Sequence, residues 1–298
     1  METLSGAFRD VIKQVVSLSK QSTRITEHDV YQEGAEELLS VIDKIAETLL
    51  LPHSGISGMD NLIELWNRAV SGKSCLLLLE HYSNMDLTNF IYLLRKEPNR
   101  GKEIADAVVA IAGMKLNEEN PTVAAFTGAY SRIIIYPSRS LQGLDAEKDR
   151  AEIIRSNTIN RAAMKALADI KTKGKLILVF PSGTRYRPWD PASKRGVREI
   201  DSYIKSFDYM CFTAINGEVL HVRQGDMMDD FVSQDLVRYT VGPVLSCGQF
   251  RDDARLQAGE AGIEDKKQAV VDRIMEELEL MHIKAEDERQ KLLKALDS

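Results

Sequence analysis

A histidine and an aspartate, His81 and Asp86, stand just past a short apolar run, Leu76-Leu77-Leu78-Leu79, from which Glu80 separates them. In mid-helix, residues at this spacing point about 140° away from each other. At a strand-to-helix turn they need not, so the two side chains can face one another. A carboxylate bonded to one ring nitrogen fixes the tautomer and orientation of an imidazole, and the other nitrogen is free to take a proton from a hydroxyl. The bland alternative is a satisfied core histidine beside a helix-capping acid. His-x4-Asp alone does not decide between the two.

The elements that must position this pair can be read from hydrophobic periodicity. Residues 74–79 read as a buried strand with His81 at its carboxyl end. Leu87, Phe90, Ile91 and Leu94 then recur at helical spacing. Ser83 or Asn84 can cap that helix, with Asp86 in its first turn. Further strands are expected over 107–112, 132–136, 175–180, 209–215 and 237–244. Helices are expected over 59–70, 121–130 with Pro121 in the first turn, and 145–171. A long charged amphipathic helix runs from 262 to the end through Val270, Ile274, Leu278 and Met281.

Residues 1–51 read as helical, with one apolar face at Phe8, Val11, Ile12, Val15 and Val16 and another at Leu38, Leu39, Ile42, Ile45, Leu49 and Leu50. Pro52, Gly55 and Gly58 break that pattern. Two units are therefore expected, an N-terminal helical module over 1–57 and an α/β catalytic domain over 58–298. Strands alternating with helices imply a mixed, mostly parallel sheet flanked by helices. Ligands of such sheets bind in the crevice outside the carboxyl ends of the strands. Arg139, Arg185 and Arg187 all follow expected strands, as His81 does.

Arg185 and Arg187 come after Pro181-Ser182-Gly183. A glycine there lets backbone approach a ligand, and free N–H groups can bind anionic oxygens. Two guanidinium groups flanking Tyr186, with Arg139 as a third, form a planar donor set suited to phosphate. The alternative is a group of surface cations. The chain has no Gly-x-Ser-x-Gly elbow, and no cysteine neighbours a candidate base in sequence. The attacking group is therefore expected to be the substrate's own hydroxyl.

Bulk properties exclude several classes. The chain has 298 residues, 44% of them hydrophobic, and a net charge of −6, which argues against a nucleic-acid partner. Cys75, Cys211 and Cys247 are far apart and match no zinc or redox spacing, a pattern that fits a reducing compartment. Gly72-Lys73-Ser74 is no phosphate loop, because Asn67 occupies the place of the first glycine. The N-terminus lacks a basic-then-apolar leader, and no apolar run is long enough to span a bilayer. A cytoplasmic protein is expected, with peripheral contact to a membrane surface left open.

The motifs resemble those of a known superfamily. His81-Tyr82-Ser83-Asn84-Met85-Asp86 resembles the first motif of the glycerolipid acyltransferases, Asn-His-x4-Asp. Phe180-Pro181-Ser182-Gly183-Thr184-Arg185 resembles their third, Phe-Pro-Glu-Gly-Thr-Arg. Glu80 replaces the usual asparagine, and Ser182 the usual glutamate. Residues 181–188 are similar to the Pro-Ser-Gly-Gly-Arg-x-Arg-Pro of the soluble, plastid-type glycerol-3-phosphate acyltransferases. Ala112-Gly113-Met114-Lys115-Leu116 resembles the Ala-Gly-Asp-Lys-Leu of that group. Ile135-Tyr136-Pro137-Ser138-Arg139-Ser140 resembles its Val-Tyr-Ser-Lys-Lys-His, which places Arg139 on a lysine and Ser140 on a histidine of the glycerol-phosphate site. Val241-Gly242-Pro243 also recurs there.

The resemblance implies a soluble enzyme that moves a fatty acyl group from acyl carrier protein or acyl-CoA to the sn-1 hydroxyl of glycerol 3-phosphate. His81, oriented by Asp86, would be the base. Arg139, Ser140, Arg185, Arg187 and Gly183 would contact the acceptor. Neither metal nor cofactor is required. Lys194, Arg195 and Arg198 form a local basic stretch that could dock an acidic carrier protein, or be a solvated loop. Two rival readings stay open. One is a 1-acylglycerol-3-phosphate acyltransferase. The other is a non-catalytic protein on the same fold that binds phospholipid or acyl carrier.

Overall fold

The structure is a computed structural model that describes residues 1–19, 24–114, 118, 120–141, 143, 145 and 147–296, the Arg139 side chain excepted. The chain begins with β1 (Glu2–Thr3), α1 (Leu4–Ala7), α2 (Arg9–Leu18), β2 (Tyr31–Gln32), α3 (Glu36–Leu49), β3 (Gly55–Ser57) and α4 (Met59–Val70). Next come β4 (Cys75–Leu79), α5 (Asp86–Lys96), α6 (Gly101–Ala107), β5 (Val108–Gly113), α7 (Pro121–Thr127), β6 (Arg132–Ile135), α8 (Arg150–Ile170) and β7 (Leu176–Val179). The remainder is α9 (Ile200–Ser206), β8 (Tyr209–Asn216), β9 (Leu220–His221), β10 (Phe231–Val232), β11 (Arg238–Val241), β12 (Leu245–Ser246), α10 (Cys247–Glu260) and α11 (Lys266–Leu296).

The main sheet runs in the order β2-β6-β5-β7-β4-β8-β11-β3, with β12 also beside β8. Strands β6, β5, β7, β4 and β8 are mutually parallel. β2 and β11 join them antiparallel. This is the mixed, mostly parallel α/β sheet that the alternating pattern implies. Every residue of β4 is buried, because helices cover both faces and a continuous apolar run is then needed. Leu77 and Leu79 point to the face packed with Leu62, Leu65, Phe90 and Ile104. Leu76 and Leu78 point to the other, with Ile159, Ile204, Val270, Ile274 and Leu278. Truncating one such leucine to alanine costs about 2–5 kcal/mol.

The described residues of 1–57 include three helices, and also both outermost strands of the main sheet, β2 and β3. β1 pairs with β10 in a small second sheet. Arg95 on α5 bonds Asp43 on α3 at 2.7 Å. The single strand expected over 237–244 is instead β11 and β12, each paired with a different part of β8. The break falls at Gly242-Pro243, where proline cannot donate to a ladder. Among the described residues no helix is long and apolar enough to cross a membrane.

Candidate active site

β4 and β7 are neighbours, with Leu78 opposite Val179. The residues that follow them, Glu80-His81 and Phe180-Pro181, therefore leave the sheet side by side. The connections β4 to β5 and β7 to β8 run in opposite directions along the sheet, and ligands of such sheets bind outside the carboxyl ends of the strands. Tyr186 N–H donates to the His81 carbonyl at 2.8 Å and ties the two loops together.

The expected pair is formed. His81 Nδ1 lies 2.9 Å from Asp86 Oδ2. That oxygen also accepts from the Tyr82 and Ser83 N–H groups at 2.6 and 2.9 Å, and Asp86 Oδ1 accepts from Ser83 Oγ at 2.9 Å. The Asp86 carbonyl accepts from Tyr239 Oη at 2.7 Å. The carboxylate is thus fixed before it meets the histidine. It accepts a hydrogen bond from Nδ1–H, which leaves Nε2 as the acceptor. The His81 side chain keeps 18% of its surface exposed, enough for a substrate to reach it. Neither Ser83 nor Asn84 is the helix cap. Met85 occupies that place without a side-chain bond, and Ser83 Oγ serves the turn instead, accepting from Met85 N–H at 3.1 Å.

The loop after β7 is a tight turn. Gly183 has φ of 64°, the left-handed region that favours glycine. Its N–H is not free for an anion, since it donates to the Phe180 carbonyl at 2.9 Å. Ser182, where the resemblance has glutamate, is buried and donates to the Thr184 carbonyl at 2.7 Å.

The two arginines of that loop have different surroundings. Arg185 Nη1 bonds Asp230, a fully buried carboxylate just before β10. Arg187 is exposed, and its guanidinium has no hydrogen-bond or ion-pair partner among the described residues. Its N–H donates to Ser193 Oγ at 2.8 Å. Ser140 sits half-buried in a short turn, Ser138–Leu141, just past β6. That places it three strands from β4, about 14 Å at the usual strand spacing. Lys115 and the Arg139 side chain lie outside the described residues.

The basic stretch is not a free patch. Lys194 bonds Glu279, Arg198 bonds Asp265 at 2.9 Å, and Arg195 lies 3.9 Å from Asp272. All three acids are on, or one residue before, the C-terminal helix α11.

Two groups at the site carried no clear sequence signal. Glu80 is buried beside His81, and its Oε2 lies 3.0 Å from His282 Nδ1 on α11. Burial depresses the His282 pKa, but the bond to Glu80 and its charge outweigh this and leave it raised. Burial pushes the Cys75 and Cys211 thiols up to about 12, so neither is a thiolate nucleophile near neutral pH. Among the described residues no group of three or more His, Cys, Asp or Glu could hold a metal ion.

Comparison of the chain with protein-family models and with curated proteins finds no match.

Proposed function

We propose that this chain is an acyltransferase that moves a fatty acyl group from an acyl thioester, of acyl carrier protein or CoA, to the sn-1 hydroxyl of glycerol 3-phosphate, giving lysophosphatidate. The observation that carries the reading is the His81–Asp86 bond at the carboxyl edge of the parallel sheet, beside the Phe180-Pro181-Ser182-Gly183 turn. The motifs resemble the acyltransferases in both places.

In this reading the acceptor hydroxyl lies at His81 Nε2. Its oxygen attacks the thioester carbonyl carbon while Nε2 takes the proton. The C–S bond of the tetrahedral species then breaks, and the imidazolium returns the proton to the leaving thiolate. Thioester and alcohol become ester and thiol with no net proton change. A positioned base of this kind contributes typically ~10²–10⁴-fold. Arg187 is the available guanidinium for the phosphate. Arg185, anchored by Asp230, holds the loop that carries Arg187. Arg139 and Ser140 extend the same edge toward β6. Holding the phosphate places the hydroxyl, which is a proximity effect.

One observation favours a second reading, an acceptor that already carries an acyl chain. Trp189, two residues past Arg187, is exposed. An exposed tryptophan of that kind suits a lipid acceptor at a membrane surface.

The test is transfer from palmitoyl carrier protein and palmitoyl-CoA to radiolabelled glycerol 3-phosphate, with His81→Ala alongside. Lipid-soluble label from wild type and none from the variant supports the proposal. No product with either thioester rejects this acceptor, and lysophosphatidate is then tried in its place. Silence there favours the non-catalytic reading.

A further inference from the structure

Glu80 shares a peptide bond with His81, and four contacts hold it. Its N–H donates to the Thr213 carbonyl at 3.1 Å. Its Oε2 accepts from Ile215 N–H at 2.8 Å, and its Oε1 from Tyr82 Oη at 2.9 Å. The fourth contact is His282 Nδ1, 3.0 Å from Oε2 and 202 residues away along the chain. The first three are a strand neighbour and a local side chain. Only the last comes from α11.

The helix is itself pinned at that level. Asn216 Nδ2, at the end of β8, donates to the His282 carbonyl at 3.0 Å and to Glu286 at 2.9 Å. Further along, Arg289 reaches Asp235 at 2.6 Å and the Leu236 carbonyl at 2.7 Å. A buried carboxylate is costly without a countercharge, and His282, when protonated, is a cation in contact with Glu80. The other charged or titratable groups around His282 are Tyr82 at the end of β4, Lys194 on the loop after β7, and Glu279 and Glu286 on its own helix. Lys194 is taken by Glu279.

We infer that His282 is a positioning residue of the transfer site: through Glu80, the C-terminal helix fixes the end of β4 and so the direction in which His81 presents Nε2. This rests on the reading of His81 as the base. With His282 charged, Glu80 is compensated and the strand end is held. With His282 neutral, the hydrogen bond can persist, but the carboxylate is left buried without a countercharge. The raised His282 pKa places that change on the alkaline side of an ordinary histidine. Small displacements of a catalytic group matter, since a misplacement near 1 Å can cost about 10²-fold.

The experiment compares wild type, His282→Phe and His282→Asn as full chains, from about pH 6 to about pH 9. Asparagine keeps a neutral N–H donor near the place of Nδ1, whereas phenylalanine keeps only bulk. With palmitoyl thioester and glycerol 3-phosphate, His282→Phe is expected to lower kcat by about ten- to a hundredfold with KM unchanged. His282→Asn, which keeps the donor but not the charge, is expected to hold kcat near the alkaline wild-type level across the whole range and so to lack the fall on the alkaline side. A wild-type kcat in His282→Phe, or an alkaline fall that persists in His282→Asn, overturns the inference. If the phenylalanine variant does not fold by circular dichroism, the asparagine profile decides alone. The proton resonance of His81 Nδ1–H supplies a readout without turnover. If wild type transfers nothing, the functional reading fails, but this resonance still tests positioning. A shift in the variants supports it, and an unchanged resonance overturns it.

Discussion

The His81 imidazole lies flat on the ring of Phe180, centroids 4.0 Å apart and planes 19° apart. The two residues follow adjacent parallel strands, so the stack is set by the register of β4 against β7. With one face on Phe180 and Nδ1 on Asp86, the ring has little freedom left. Phe180→Leu is expected to lower kcat several-fold while leaving KM for glycerol 3-phosphate unchanged, because aromatic pairs contribute only about 0.5–1.5 kcal/mol beyond their buried area. Steady-state kinetics checks this.

His81 and Asp86 should separate in stability although they act together. His81→Ala is expected to reduce transfer by ~10²–10⁴-fold and to melt near wild type. Asp86→Ala should lose the same activity and also melt lower. It removes the acceptor for the Tyr82 and Ser83 N–H groups and for Ser83 Oγ. Each buried donor left without a partner costs about 1–3 kcal/mol. Thermal melts beside the transfer assay test the contrast. Equal melting of the two variants would contradict it.

Arg187 and Arg185 are expected to divide phosphate binding from folding. Arg187→Ala should raise the KM for glycerol 3-phosphate with unchanged stability. Arg185→Ala strands the fully buried Asp230, and losing one partner of a buried pair costs about 3–5 kcal/mol. Urea unfolding of the two variants distinguishes the roles.

Gly183→Ala should destabilise the turn by about 1–2 kcal/mol, the usual cost of left-handed backbone for a residue with a Cβ. The added Cβ would also meet Val197 Cγ1 at 3.2 Å. Denaturant titration measures the loss.

The His282–Glu80 pair predicts a pH-dependent stability difference. The folded-state pKa of His282 is raised above 6.5. Its contribution is therefore fully present below about 6.5 and fades as pH rises through the raised value. The gap in melting temperature between wild type and His282→Gln should be widest on the acid side of that window and narrow on the alkaline side. A gap that widens with pH would refute the assignment.

What could be read from sequence was the part written in local pattern. The five parallel strands are mostly apolar runs, and each falls within two residues of its expected bounds. Helix α4 spans the expected 59–70. His81 and Asp86 were legible because one turn carries both. The short strands β1, β2, β3, β9, β10 and β12 were not, since two or three residues show no periodicity. The partners of the site were hidden for a related reason. Arg185 and Asp230 are 45 residues apart, and Glu80 and His282 are 202 apart, so only the tertiary fold brings them together. The acids that pair with the basic stretch at 194–198 were hidden in the same way, because they lie on α11 or just before it.

The short outer strands have a consequence for how the protein resists clumping. β6 carries Ile133, Ile134 and Ile135 in a row, and among the described residues its outer edge is paired by Tyr31–Gln32 and the Val30 carbonyl. An uncovered apolar strand is a template for pairing with another chain. Lesions in this small flap should therefore show as precipitation during expression or storage, while the molecules that remain dispersed keep full turnover.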